Sequence, residues 1–340
     1  MLQDEKIPLI PEIPQELLTK ILMREVVVFV GSGVSMLEKV PSWKDLALKY
    51  LEDWKKAGGL TYDAYEKLKR EKADPLELLT ICSGVLGIET VKTQLTNKLS
   101  EDLKDENKKA ISRIYGYIRD LKAGYVTTNY DDFLENALLT SDDISIKENE
   151  YLQILKEPDI SIALDQMGLD ENLDIPTGKI VYLHGKAANP KEGIKNEIIL
   201  TLEDYLKHYK DIENGINGKT FLEKVFNKTF LFIGLGLKEF EIIQHIKPPS
   251  NNTSHYLLLG VSDYEKCILE QYRAYYKILN IWPIFYNMSQ NGYRQLEYVL
   301  KSWSDNVRAA RVKNYENRIG SDNDIKNLKK IQELENEGFE

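Results

Sequence analysis

Apolar positions along the chain fall into two recurring patterns, unbroken short runs and amphipathic stretches, and the two alternate. From Gln15 to Arg24, Leu17, Leu18, Ile21 and Leu22 keep to one face, which is helical spacing. Val26-Val27-Val28-Phe29-Val30 follows without a break and is mostly β-branched, as a strand buried on both faces is. It ends in Gly31-Ser32-Gly33-Val34-Ser35. A helix is predicted from about Ser42, a suitable N-cap, to Ala57, where Gly58-Gly59 stops it. From Tyr62 to about Arg119 the pattern stays helical, and Pro75 and Gly87 divide it into several short helices. A strand at Gly124–Thr128 runs into Asn129-Tyr130-Asp131, and a helix spans Asp132 to Leu139. Residues 140 to 178 are irregular and polar and show no placeable element. Strands are then predicted at Lys179–Leu183, Glu197–Leu200, Thr229–Ile233, His255–Leu259 and Ile281–Tyr286. Helices at Leu202–Tyr209, Phe221–Phe226, Phe240–Ile246 and Tyr264–Leu279 separate them. A long helix from about Tyr293 to Arg311 closes the pattern. From Lys313 onward the chain is charged and rich in Asn, Lys and Glu.

Strands alternating with helices predict an α/β fold: a Rossmann-like parallel sheet with helices on both faces. The helical block at about 60–120 interrupts the alternation and is expected to form a smaller inserted module. Residues 1–290 are expected to form the main domain. Residues 291–340 are expected to be a C-terminal helical segment suited to assembly or partner docking. In such sheets ligands bind beyond the carboxyl ends of the strands. Four strand ends here deliver unusual residues: Gly31-Ser32-Gly33, Asn129 with Asp131, His184-Gly185, and Gly234-Leu235-Gly236.

Composition narrows the function classes. The 340 residues carry a net charge of −9, so the broad basic footprint of a nucleic-acid binder is absent, and no direct nucleic-acid contact is expected. The two cysteines, Cys82 and Cys267, lie far apart, and the four histidines show no zinc spacing. No metal site and no disulfide framework is expected, and the cytoplasm is the expected compartment. The longest apolar stretch, Phe230 to Leu237, is far short of the roughly 20 residues that span a bilayer, and Met1 to Lys6 lacks signal-peptide character. No membrane contact is expected.

Each motif has an ordinary structural reading beside a functional one. Gly31-Ser32-Gly33 lets backbone N–H groups approach an anion, but the dinucleotide fingerprint needs a glycine at position 36, where Met36 stands. A tight turn explains the segment equally well. Asn129 or Asp131 after an apolar strand suits a helix N-cap. His184 is a lone histidine, but it stands at the site edge of the sheet with a glycine beside it. The tyrosines Tyr272, Tyr275 and Tyr276 fit a core or interface better than a ligand cage. Arg308, Arg311, Lys313 and Arg318 are interleaved with acids, which suits a solvated or protein-facing surface.

Taken in order, the motifs resemble the sirtuin-like superfamily, whose pattern is Gly-Ala-Gly-Ile-Ser, then Thr-Gln-Asn-Ile-Asp, then His-Gly. This chain has Gly31-Ser32-Gly33-Val34-Ser35, Thr127-Thr128-Asn129-Tyr130-Asp131 and Leu183-His184-Gly185. Val40-Pro41-Ser42-Trp43 resembles the Pro-x-Trp segment of the bacterial branch. Phe232-Ile233-Gly234-Leu235-Gly236 is similar to that branch's later Gly-rich segment, with Glu239 and Glu241 where aspartates are common. The resemblance covers about residues 15 to 290. Lysine deacylases of the superfamily carry a four-cysteine zinc module and an Asp-Phe-Arg segment, and both are missing here.

The resemblance therefore implies the zinc-free bacterial branch, an NAD hydrolase that makes ADP-ribose and nicotinamide and serves anti-phage defence by NAD depletion. It implies catalytic roles for Asn129 and His184. It implies NAD contacts from Gly31, Ser32, Gly33, Ser35, Asp131, Gly234 and Gly236, with NAD as substrate and no metal. Because an ungated NAD hydrolase would kill its host, gating by self-assembly or a partner is expected. A homo-oligomer and a partner such as a HerA-type hexameric ATPase follow from the resemblance alone. The alternatives are a non-catalytic sensor of NAD or ADP-ribose, a scaffold subunit of a defence complex, a deacylase, and a nuclease, for which no clustered carboxylate site is evident.

Overall fold

The computed structural model describes residues 6–71, 74–104, 112–139, 161–162, 175–187, 198–212, 216–237, 240–246 and 254–319. Seven strands form one sheet: β1 Val26–Val30, β2 Gly124–Thr127, β3 Ser161–Ile162, β4 Ile180–Tyr182, β5 Thr229–Ile233, β6 His255–Val261 and β7 Ile281–Asn287. Their order is β3-β4-β2-β1-β5-β6-β7, and every pairing is parallel. This is the predicted Rossmann-like architecture.

β1 is central and all five of its residues are buried, which is why its sequence does not alternate. Side chains along it still point to opposite faces. Val26, Val28 and Val30 join Tyr125, Leu231 and Ile233 in one core. That face is covered by α1 (Gln15–Leu22), α7 (Arg113–Arg119), α8 (Phe133–Leu139) and α13 (Gln295–Ile319). Val27 and Phe29 join Val181, Phe230 and Phe232 in a second core. There α10 (Gly218–Val225) and α12 (Leu269–Ile278) supply Phe221, Leu222 and Tyr276.

A third core belongs to the helical module: α3 (Trp43–Lys56), α4 (Tyr62–Glu71), α5 (Pro75–Leu86) and α6 (Ile88–Lys104). Ser42 and Asp74 accept bonds from Asp45 N–H and Leu76 N–H, so they cap α3 and α5 as N-cap chemistry requires. Packing draws the module's edges differently from the sequence. α3 belongs to it through Leu46, Tyr50 and Leu51, whereas α7 packs on the sheet through Ile114 and Ile118. The module is tied to the main body by Lys92, which pairs with Asp204 at 2.9 Å on α9 (Leu202–His208). α9 itself starts with a capping box of Thr201 and Asp204.

Several predicted elements take another form. Of the strand expected at 197–200, residues 198–200 carry no sheet ladder, and position 197 lies outside the described residues. Ile198 and Leu200 pack into the helical module instead, and Ile199 N–H donates to the His184 carbonyl at 3.0 Å. Within 140–178, Ser161–Ile162 pairs with β4 as an edge strand; 140–160 and 163–174 lie outside the described residues. The helix expected at 264–279 opens as a 3-10 turn over Asp263–Ile268. The last helix runs on to Ile319. It is packed into the sheet's core through Val299, Leu300, Trp303 and Val307, and the Trp303 indole donates to the Pro11 carbonyl at 2.8 Å. The charged stretch from position 320 onward lies outside the described residues. Among the described residues no helix is long and apolar enough to cross a membrane.

Candidate functional site

The chain leaves β1 for β2 on one side and returns later to β5 on the other, so the strand order reverses between β1 and β5. Two turns interlock there. Gly31 N–H donates to the Ile233 carbonyl and Gly33 N–H to the Gly234 carbonyl, both at 2.9 Å. A Cβ on Gly31 or Gly33 would stand 2.6 or 2.7 Å from the Gly234 oxygen. Gly234 itself sits in the left-handed region at φ +64°. The glycines are thus explained by close backbone approach. The N–H groups of Gly31 and Gly33 bond the end of β5 and the turn after it rather than pointing free toward an anion, contrary to the cradle expected from the sequence. Ser32 and Gly236 are exposed at the turn tips.

Asn129, Ser35 and Asp131 meet at one point, and Tyr115 joins them. The Asn129 amide nitrogen donates to the Gly31 carbonyl at 3.2 Å and to Ser35 Oγ at 2.8 Å. The Gly31 carbonyl accepts only, so it fixes which end of the amide is nitrogen. Ser35 donates its single hydrogen to Asp131 Oδ2 at 2.7 Å. Tyr115 must therefore donate to Ser35 Oγ, 2.8 Å away. Asp131 Oδ1 also accepts Phe133 N–H at 3.3 Å, an Asx turn one residue ahead of the N-cap position of α8, which is Asp132, whose carbonyl accepts Asn136 N–H. The position of Asn129 is set by its own N–H donating to Thr127 Oγ1, which in turn donates to the Val30 carbonyl. Asn129 Oδ1 is buried and has no hydrogen-bond partner among the described residues.

His184 lies in a neighbouring aromatic cluster. Its Nε2 is 2.8 Å from the Tyr209 hydroxyl and its Nδ1 is 3.4 Å from the Tyr205 hydroxyl. Trp43 stands edge-on to His184 at 6.4 Å between ring centres and 6.0 Å from Tyr130 and Tyr205. Trp43 and Tyr130 thus connect the His184 cluster to the Asn129 cluster. Burial, reinforced by neighbouring His208, holds the His184 pKa well below its usual 6.5. The ring is neutral, and it is fully buried.

The loop carrying His184 is anchored by charge. Lys186 Nζ donates to Glu135 Oε2 at 2.6 Å, and both side chains are buried. The Tyr182 hydroxyl donates to the same oxygen at 3.2 Å. Ala187 N–H donates to the Tyr130 carbonyl. Sequence reading missed Tyr115, Trp43, Tyr205, Tyr209, Glu135 and Lys186 as site-forming residues. Tyr205 and Tyr209 carried a usable signal, because their i, i+4 spacing puts both on one helix face. Tyr115 carried none, since it lies in a helix at no strand end. Among the described residues no three His, Cys, Asp or Glu side chains are arranged to hold a metal ion.

Burial pushes the Asp131 carboxyl from 3.8 up to about 6, against the lowering pull of its bond from Ser35. The native state therefore holds this proton more tightly than the unfolded chain. Ionising Asp131 opposes folding, so its contribution to stability falls as pH rises from 3.8 to about 6, by about 3 kcal/mol in all. His184 acts in the opposite sense: below about 6.5 the unfolded chain gains a proton that the buried native ring resists, so stability falls as pH is lowered there. Asp131→Asn is expected to close the Asp131 gap. In urea unfolding series, the difference between variant and parent should move in the variant's favour by about 3 kcal/mol across that window. A difference that stays constant with pH would exclude an elevated Asp131 pKa.

Comparison with known proteins follows the same segment of chain. Residues 123–281, which hold Asn129, Asp131, His184 and the Gly234 turn, match the family model for a SIR2-like domain. The match supports the sirtuin-like resemblance drawn from the motifs. A solved structure, the crystal structure of a Sir2 homolog–NAD complex, is similar at 11% identity and a TM-score of 0.44, over 89% of this chain and 96% of that one. No curated protein sequence matches the chain.

Proposed function

We propose that the protein binds NAD at the carboxyl ends of β1, β2 and β4 and cleaves it to ADP-ribose and nicotinamide. The observation that carries this reading is Asn129: a fully oriented amide at a strand end whose buried oxygen has no partner among the described residues. Leaving such an atom unsatisfied costs about 1–3 kcal/mol, and a bound hydroxyl or water would satisfy it. In the cleavage step the bond from ribose C1′ to the nicotinamide nitrogen breaks, and its electron pair leaves with neutral nicotinamide. Water oxygen attacks the oxocarbenium-like carbon and gives up a proton. Asn129 orients the ribose or that water. Ser35 and Asp131 hold Asn129 in place, and an ionised Asp131 adds negative charge near the developing cation. His184 receives the water proton in the opened site, where one ring nitrogen is released from its tyrosine partner and hydration lifts the burial that otherwise disfavours the charged ring.

Both Asn129 and His184 are buried, so substrate reaches them only when the site opens, which fits an enzyme gated by assembly or a partner. Defence by NAD depletion, a homo-oligomer and a HerA-type ATPase partner belong to the same proposal and rest on the resemblance. NAD contacts from Ser32 and Gly236 rest on it too. A cytoplasmic location is proposed from the cysteine usage. A main domain of 1–290 with a docking segment at 291–340 is proposed from the element pattern, with Leu296, Val299, Leu300, Trp303 and Val307 of that segment packed into the sheet core. The second reading, a sensor that binds without turnover, is favoured by one observation: both His184 ring nitrogens face tyrosine hydroxyls. Nicotinamide release from NAD, followed beside calorimetric binding of ADP-ribose, separates the two. Release that needs His184 establishes the hydrolase. Binding without release under any condition of assembly establishes the sensor, and neither would exclude both.

A further inference from the structure

Trp43 carries a second unsatisfied group. Its indole Nε1 is buried and has no hydrogen-bond partner among the described residues. The Trp303 indole shows the ordinary case, donating to a carbonyl at 2.8 Å. Indole nitrogen only donates, so its missing partner must be an acceptor. The ring stands at the start of α3, among Tyr130, His184 and Tyr205. That places it beside residues that follow β2 and β4, on the His184 side of the site. The ring also packs against the apolar core of the helical module, and neither that core nor the aromatic faces replace an oxygen acceptor.

We infer that the Trp43 N–H is a ligand-binding donor, which bonds an oxygen at the distal-ribose end of a bound dinucleotide. This inference rests on the NAD reading above and adds to it a positioning and specificity residue. Two oxygens share this chemistry, a hydroxyl of the distal ribose and the carboxamide oxygen of nicotinamide. ADP-ribose carries only the first; a carba analogue of NAD, which cannot be cleaved, carries both. Because the N–H is shut off from solvent, it engages ligand as the side chains over it shift.

The test is binding to the full chain by calorimetry, comparing the parent with Trp43→Phe, together with nitrogen-15 spectra of the four indoles. The expected result is about a tenfold loss of affinity, equivalent to about 1.4 kcal/mol. Loss for both ligands identifies a ribose hydroxyl, and loss for carba-NAD alone identifies the carboxamide. Trp43→Phe also removes ring volume, so the parent's own indole signal provides a measure independent of folding. The Trp43 N–H proton should lie upfield in the free protein and move downfield when ligand binds. Equal affinities in parent and variant, or an indole signal unmoved by bound ligand, would overturn the inference while leaving the NAD reading intact. A parent that binds neither ligand overturns both.

Discussion

Asn129→Ala is expected to lower NAD cleavage by about 10²–10⁴-fold, the usual scale for losing a positioned group that acts on the transition state. The size follows from how little freedom the amide has. Gly31 and Ser35 hold its nitrogen, and Thr127 holds its backbone. A side chain fixed by its neighbours can present the remaining oxygen to ribose or water without further ordering, and this is how orientation lowers a barrier. The loss should fall on kcat more than on KM, because the oxygen matters most as positive charge develops at C1′. Alanine also removes one donor from the Gly31 carbonyl, which keeps Val34 N–H, and one from Ser35, which keeps the Tyr115 hydroxyl. Thermal melting of the variant must therefore accompany the kinetics. A cooperatively folded variant that turned over NAD at the parent rate would remove Asn129 from the mechanism.

Lys186→Met is expected to destabilise the protein by about 3–5 kcal/mol, because it strands the Glu135 carboxylate in a buried site. Glu135 would keep only the Tyr182 hydroxyl among the bonds described above. The pair itself contributes less than this figure, since burying two charges also has a desolvation cost. The double variant Lys186→Met with Glu135→Leu removes both charges and should recover most of the loss. Urea unfolding of parent, both single variants and the double variant checks this. Equal destabilisation in the single and double variants would mean that packing, not charge, holds this contact. The pair joins α8 to the loop two residues beyond His184, so the Lys186 variant should also weaken ligand binding in proportion to how far that loop moves.

The parts of the site that were legible in the sequence are those attached to strand ends. Asn129, Asp131 and His184 each follow an apolar run directly, and strand carboxyl ends in a parallel sheet converge on one edge. The glycine turns were equally visible as turns. Their use was not, because whether a glycine N–H faces a ligand or a neighbouring carbonyl depends on which strand packs beside it. Gly31 and Gly33 bond the end of β5 and the turn after it, some 200 residues away along the chain. The failed strand prediction at 197–200 has the same origin. Its apolar side chains suit a strand or any other buried extended segment, and the helical module claims them.

The sequence alone determined the alternation of strands and helices, the parallel sheet and the residues that reach the site edge. Those are set by local periodicity and by the right-handed crossover rule, neither of which needs a coordinate. Tertiary structure decided what those residues do to one another. It drew Tyr115 from the helical block to Ser35, set His184 among tyrosines and held it neutral, and buried a lysine against a glutamate. It left two polar atoms, Asn129 Oδ1 and Trp43 Nε1, buried without partners among the described residues. The physical reason is that desolvation and hydrogen-bond satisfaction depend on every neighbour within a few ångströms, and those neighbours come from distant stretches of the chain.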